Sequence, residues 1–391
     1  MSTKKEIAIV MTTMNVGGVE KVLAVLLNSI DYHRYDVDLW LRTPEGEMFS
    51  RINPNVTVRY WGLADTRKEL IEQAKKGKLF ALLKGLVYRV LVRSYKRDWA
   101  RNEIYAVKSQ EKCDTKEYDC IVAYQGISAS VIATSLYRLV SRKRVVWIHG
   151  VDAFLTSQVS KLRKEYSKFD RIFCVSESTK KHYNRKFAGL EHKTSVVYNP
   201  IDVLEIKEKS QEPMVELIDA LSIVTVGRLS MLKGQQMIPQ TARMLLDAGY
   251  DIRWYLVGDG PLRAEIEQEI RKYDVSDRVI LLGTKTNPYP YIKNCKIYVQ
   301  PSFSEGYCTT TMEAKVLCKP VVTTDAPGMR EQFVSGENGL IVDAMTPEAL
   351  FEGIRTLLDH PEIMEKFQNA LKSETYDNAE QLQKLYDFIE S

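Results

Sequence analysis

Four side chains stand out by type and spacing: Arg228 and Lys233 in V-G-R-L-S-M-L-K-G (226–234), and Glu305 and Glu313 in Q-P-S-F-S-E-G-Y-C-T-T-T-M-E-A (300–314). The glutamates are separated by seven residues. The apolar run Ile297–Val299 leads into a polar turn, and a helical pattern begins near Thr309. A strand–turn–helix unit of this kind aims backbone N–H groups and a positive helix end into one crevice. The backbone from Gly306 through Tyr307 and Cys308 to Thr309 is therefore a candidate phosphate site. Carboxylates so close to a phosphate repel it and cannot be its ligands. They can instead accept hydrogen bonds from neighbouring sugar hydroxyls. One carboxylate at each end of a diphosphate suits a nucleotide sugar, with a ribose on one side and a hexose on the other. Arg228 and Lys233 supply a fork and a point charge for the diphosphate oxygens, and Gly227 permits close approach. Taken singly each feature has a plainer reading, since acidic residues are common in first helical turns.

Together, S-E-G-Y-C-T-T-T-M-E-A and G-R-L-S-M-L-K-G resemble the Glu-(seven residues)-Glu signature and diphosphate motif of family 4 retaining glycosyltransferases. The resemblance covers nearly all of the chain and is strongest across 222–342. It implies the GT-B fold: α/β, with two doubly wound Rossmann-like domains facing across a cleft. It also implies transfer of a sugar from a nucleotide-diphosphate donor, expected to be a UDP-sugar. Carried over on matching positions, Gly17 and Gly18 in N-V-G-G-V-E-K form a glycine-rich loop facing the donor. His149 in V-V-W-I-H-G contacts the transferred sugar, and Asp152 adjoins it. Arg228, Lys233, Glu305 and His149 form the expected catalytic set. A-P-G-M-R-E (326–331) resembles the turn beside the donor sugar, and the loop 283–290 occupies the place of the nucleotide base. G-D-G-P (258–261) is a structural turn, with Pro261 suited to a first helical position.

These residues must be held by an alternation of strands and helices. Apolar runs at Ile7–Met11, Val37–Leu41, Val56–Trp61, Cys120–Tyr124, Val145–Ile148, Ile172–Val175 and Val196–Tyr198 alternate with helical patterns such as Val19–Ile30 and Glu177–Phe187. The pattern restarts at Ser222–Val226 and continues through Trp254–Val257, Val279–Leu282, Ile297–Val299 and Val321–Thr324. Such alternation predicts parallel sheets covered on both faces. His149 and Arg228 then fall at carboxyl ends of strands, where doubly wound sheets bind ligands. The charged stretch Glu205–Pro213 lacks apolar periodicity and reads as a connection, placing the domain boundary within about 200–220. The expected domains are 1–203, an acceptor-binding domain; 204–372, a nucleotide-sugar domain; and 373–391, a helix that packs back on the first.

Composition narrows the classes. The 391 residues carry a net charge of +4, with 45% hydrophobic and 27% charged residues, an ordinary globular balance. No segment approaches the ~20 apolar residues of a membrane span, and Lys4-Lys5 before Ile7–Met11 lacks the cleavage site of a signal peptide. The six cysteines show no ligand spacing, so a reducing cytoplasm and no metal or cofactor are expected. Asp36-Val37-Asp38 has the form of a metal-binding D-x-D, but it opens an early strand and is read as chance. Basic charge concentrates in 67–101, where eleven Lys/Arg face three acidic residues in a helical period. That segment is expected to lie on an anionic membrane at the inner face of the cell membrane. No aromatic platform accompanies it, so nucleic acid is not an expected partner. The expected acceptor is a lipid-linked saccharide of cell-surface polysaccharide synthesis. A nucleotide-sugar epimerase or phosphorylase on the same fold, or a non-catalytic GT-B subunit, are the alternatives. The sequence identifies neither the sugar, the base, nor the oligomeric state.

Overall fold

A computed structural model describes residues 4–62, 99–108, 110, 112–150, 157–214 and 221–391. Most of the basic stretch 67–101, and Asp152, lie outside the described residues. The chain divides into two compact units, 1–200 with 378–391, and 201–377.

In the first unit, strands β1 (Lys5–Met11), β2 (Tyr35–Leu41), β3 (Val56–Tyr60), β4 (Glu117–Ala123), β5 (Val140–Ile148), β6 (Arg171–Cys174) and β7 (Thr194–Val196) form one sheet in the order β3-β2-β1-β4-β5-β6-β7. Every pairing in it is parallel. The near-continuous apolar runs follow from this arrangement, because a parallel strand is buried on both faces. Residues 7–11 of β1 are fully buried. The second unit repeats the plan with β8 (Ser222–Val226), β9 (Arg253–Val257), β10 (Val279–Gly283), β11 (Ile297–Gln300), β12 (Val321–Thr324) and β13 (Leu340–Val342), in the order β10-β9-β8-β11-β12-β13. Each sheet reverses its winding beside its first strand, between β1 and β4 and between β8 and β11. The loops leaving those strands must diverge, and a crevice opens at the carboxyl ends.

The closing helix Asn378–Glu390 belongs to the first unit. Tyr386 stacks on Tyr35 with ring centroids 4.6 Å apart, and its hydroxyl accepts the Asp31 N–H at 3.0 Å. Glu390 accepts the Tyr35 hydroxyl at 2.6 Å and pairs with Arg34. Lys143 Nζ donates to the Phe388 and Ile389 carbonyls at 3.0 and 3.3 Å.

Two local expectations are corrected. The stretch Glu205–Pro213 is not an exposed connection, because the helix Val203–Lys209 occupies most of it. The Asp202 side chain caps it by accepting the Glu205 N–H at 2.9 Å, Glu205 pairs with Lys209 at 2.7 Å, and Ile206 is buried. One buried side chain in seven residues leaves no apolar period to read. Pro261 does not open its helix either: the helix begins at Arg263, and the preceding Leu262 N–H donates to the Leu229 carbonyl at 3.2 Å. Asp38, of the D-x-D, accepts from Tyr118, Arg59 and Lys116 at 2.6, 2.8 and 3.2 Å, and Asp36 pairs with Lys4. Two cations already surround Asp38, which disfavours a third.

Glycine is required where the second unit's loops close on one another. Gly234 has φ of +68°, and a Cβ there would sit 1.8 Å from the Pro301 carbonyl oxygen. Gly234→Ala should therefore lower the unfolding free energy by more than about 1 kcal/mol. Denaturant unfolding that finds the variant as stable as the parent would refute this close approach.

Candidate functional site

In the second unit the loops after β8 and β11 leave on either side of the winding reversal. The Phe303 N–H donates to the Leu232 carbonyl at 2.8 Å, tying the two loops together. Gly258, with φ of +144°, packs against the Gly227 carbonyl, where a Cβ would sit 2.1 Å away. The G-D-G-P turn thus supports the loop that carries Arg228. Arg228 itself is exposed.

Lys233 and Glu305 are brought into direct contact. Lys233 Nζ donates to Glu305 Oε1 at 2.6 Å and to Oε2 at 2.8 Å. The Glu305 side chain is 8% exposed and that of Lys233 28%. Taking a carboxylate this far from water is costly unless it is paired and hydrogen-bonded. Ser302 Oγ supplies a further hydrogen bond to Oε1 at 2.6 Å. Behind Ser302, Gln300 Nε2 donates to its Oγ at 2.8 Å, and Tyr298 and Thr310 donate to Gln300 Oε1 at 2.9 and 3.1 Å.

Gly306, Tyr307 and Cys308 lead from Glu305 into the helix Thr309–Val316, whose cap residue Cys308 makes no side-chain capping bond. A helix start leaves its first-turn N–H groups without intrahelical partners, which suits an anion. Burial pushes the Cys308 thiol pKa up, so it sits here as a neutral group. Glu313 is on this helix and 2% exposed. Thr311 Oγ1 donates to Gln332 Oε1 at 2.5 Å, and Gln332 Nε2 donates to the Cys308 carbonyl at 3.1 Å, which docks the turn after β12 against the helix start. Residues 227, 228, 233 and 305–313 thus gather at one end of the second sheet. The site can hold an anion by cations and amides and accept hydrogen bonds from hydroxyls through its carboxylates.

The remaining expected residues lie in the first unit. Gly17 and Gly18 begin the helix Gly18–Ser29 directly after β1, with Gly17 as its cap residue. His149 follows the end of β5, its ring 4.5 Å from that of Tyr124 and stacked on Trp147 at 6.0 Å. Burial pushes the His149 pKa down from 6.5 to about 3. The Tyr124 hydroxyl has no hydrogen-bond partner among the described residues.

Several residues here escaped the sequence reading. Gln125 Oε1 accepts the Thr12 N–H and hydroxyl at 3.1 and 2.6 Å, bridging the ends of β1 and β4. Burial raises the pKa of the neighbouring Glu20. The relay residues Gln300 and Ser302 carried a signal, two polar residues ending an apolar strand, but nothing named their partners. Among the described residues no group of three or more His, Cys, Asp or Glu could hold a metal ion, and no helix is long and apolar enough to cross a membrane.

Residues 16–204 match the family described as Glycosyltransferase Family 4, and residues 207–374 match Glycosyl transferases group 1. Over 209 residues the chain is 29% identical to N-acetylgalactosamine-N,N'-diacetylbacillosaminyl-diphospho-undecaprenol 4-alpha-N-acetylgalactosaminyltransferase of Campylobacter jejuni, covering 53% of this chain and 56% of that one. It is 26% identical over 207 residues to the capsular polysaccharide biosynthesis glycosyltransferase CapM of Staphylococcus aureus, covering 50% and 53%. The chain thus spans little more than half the length of these relatives. The solved structure of Anabaena HepE in complex with UDP and glucose superimposes with a TM-score of 0.72 at 18% identity, over 98% of this chain and 99% of that one. The fold is GT-B.

His149 offers a direct check. Between about 3 and 6.5 the unfolded chain binds a proton that the folded chain refuses. Stability must therefore fall as pH drops through that window. At pH 5 the imidazole NMR signals of His149 should be those of a neutral ring, and His149→Phe should flatten the acid limb of the unfolding free energy. An imidazolium at pH 5 would contradict the burial.

Proposed function

We propose that this chain, which belongs to the glycosyltransferases, moves a hexose from a nucleoside-diphosphate donor to a saccharide acceptor with retention at the anomeric carbon. The observation that carries the reading is the Lys233–Glu305 pair, at 2.6 and 2.8 Å, beside an uncapped helix start at the winding reversal of the second sheet. Cations and amides there suit a diphosphate, and a hydrogen-bonded carboxylate suits a sugar hydroxyl.

The barrier is departure of the diphosphate from an oxocarbenium-like carbon. Arg228, Lys233 and the N–H groups after Glu305 stabilise the charge that grows on the leaving oxygens, at about 2.7–4 kcal/mol per well-placed donor. Two of the three Lys233 N–H donors face Glu305, so a phosphate that draws the ammonium toward itself couples donor binding to sugar orientation. The bond from the anomeric carbon to the phosphate oxygen breaks, and the acceptor oxygen bonds on the same face. Its proton passes to the departing phosphate oxygen. Glu305 orients the hexose, and Glu313 holds the ribose. Cations of the chain do the electrostatic work, so no metal or cofactor enters the scheme.

The donor is a UDP-sugar, and the acceptor is a lipid-linked saccharide of surface polysaccharide synthesis, met at the inner face of the cell membrane. Two observations support the acceptor: the undecaprenol-linked substrate in the name of the Campylobacter relative, and the eleven basic residues of 67–101 suited to anionic lipid.

Calorimetry with UDP, GDP and ADP should find one that binds, and its sugar esters should yield a product of retained anomeric configuration by NMR. Lys233→Ala and Glu313→Ala should each abolish transfer. Failure to bind any of the three nucleotides, or full activity in either variant, would overturn the proposal.

A further inference from the structure

The buried relay behind Glu305 has a direction. Gln300 and Ser302 are both fully buried. Gln300 Oε1 receives two hydroxyl protons, from Tyr298 at 2.9 Å and from Thr310 at 3.1 Å. An amide oxygen so occupied leaves its Nε2 group to donate, and it does so to Ser302 Oγ at 2.8 Å. The single Ser302 proton must then point elsewhere, and its partner is Glu305 Oε1 at 2.6 Å. The backbone of the relay is fixed as well. Thr323 Oγ1 donates to the Gln300 carbonyl at 3.0 Å, and Thr324 Oγ1 donates to the Ser302 carbonyl.

Burying this many polar atoms adds little stability, because an apolar set of the same shape can serve as well. The relay does, however, end on the carboxylate that a sugar hydroxyl would meet. Glu305 has two holders from different loops, Lys233 and Ser302. Lys233 is also needed by the diphosphate, and an ammonium drawn toward phosphate oxygens loosens its hold on the carboxylate. Ser302 carries no such second duty.

We propose that Ser302, oriented by Gln300, is a positioning residue for transfer: it keeps the Glu305 carboxylate in place for the hexose while Lys233 engages the diphosphate. This rests on the transfer reading above. It predicts that the relay governs turnover and leaves nucleotide affinity alone. A merely structural role would lower thermal stability and affect both alike, or neither.

The test uses the full chain with whichever of UDP, GDP and ADP binds best, and that nucleotide's glucose, N-acetylglucosamine and mannose esters. In Ser302→Ala the affinity for the free nucleotide should stay within about threefold, while kcat for release of nucleotide by hydrolysis of its sugar ester, with water taking the hexose in place of the saccharide acceptor, falls about ten- to a hundredfold, by analogy with the loss of outer partners of metal ligands. Gln300→Glu keeps the volume but offers Ser302 an acceptor in place of a donor, so its hydroxyl turns from Glu305; the same split is expected. Unchanged kcat in folded Ser302→Ala or Gln300→Glu overturns the proposal, as does a fall in nucleotide affinity as large as the fall in kcat. Failure of the parent reading is distinguishable: the wild-type chain then releases nucleotide from none of the esters, and the positioning role goes with it.

Discussion

One constraint organises the second unit: a carboxylate nearly excluded from water must keep a cation beside it. Glu305 meets this through Lys233, a residue 72 positions earlier that arrives on a different loop. Bringing the two together requires the chain to leave neighbouring strands in opposite directions, which the reversal between β8 and β11 provides. It also requires two loops to approach at backbone distance, which Gly234 and the Phe303–Leu232 hydrogen bond permit. Sheet order, loop closure and charge pairing are thus one requirement seen at three scales.

Much of the scaffold was legible in the sequence, for a physical reason. Strands covered on both faces leave unbroken apolar runs, so Ser222–Val226 and Val321–Thr324 could be located to the residue. The helix Val203–Lys209 was not legible, because a cap, an ion pair and a single buried isoleucine hold it. The site residues were legible as types at loop positions, and the structure gathers those of the second unit at one sheet end. Their partners were not: the Lys233–Glu305 contact and the relay through Tyr298, Gln300 and Ser302 depend on which hydroxyls meet across loops, and spacing along the chain does not encode that. His149 shows the same division. Its place at a strand end could be read, whereas its lasting neutrality comes from burial against Tyr124 and Trp147.

The two units carry complementary chemistry under the proposed function. Among the described residues, the second concentrates fixed charge at its reversal point, suited to a ligand with ionised oxygens. The first presents an uncharged imidazole beside two aromatic rings, with the amide of Gln125 bridging two strand ends. A neutral histidine can exchange hydrogen bonds with hydroxyls without adding charge to a reaction whose difficulty is charge separation.

The path of the backbone has a consequence for synthesis. The first sheet is complete by residue 196, yet the helix Asn378–Glu390 that covers part of it, with Tyr386 against Tyr35, is made only after the whole second unit. Domains generally fold in order of emergence from the ribosome, but here the earlier half waits, partly uncovered, until the later half has been translated. This returning helix acts as a clasp, and a nascent chain stalled anywhere in the second unit would leave the Tyr35 ring open to other encounters.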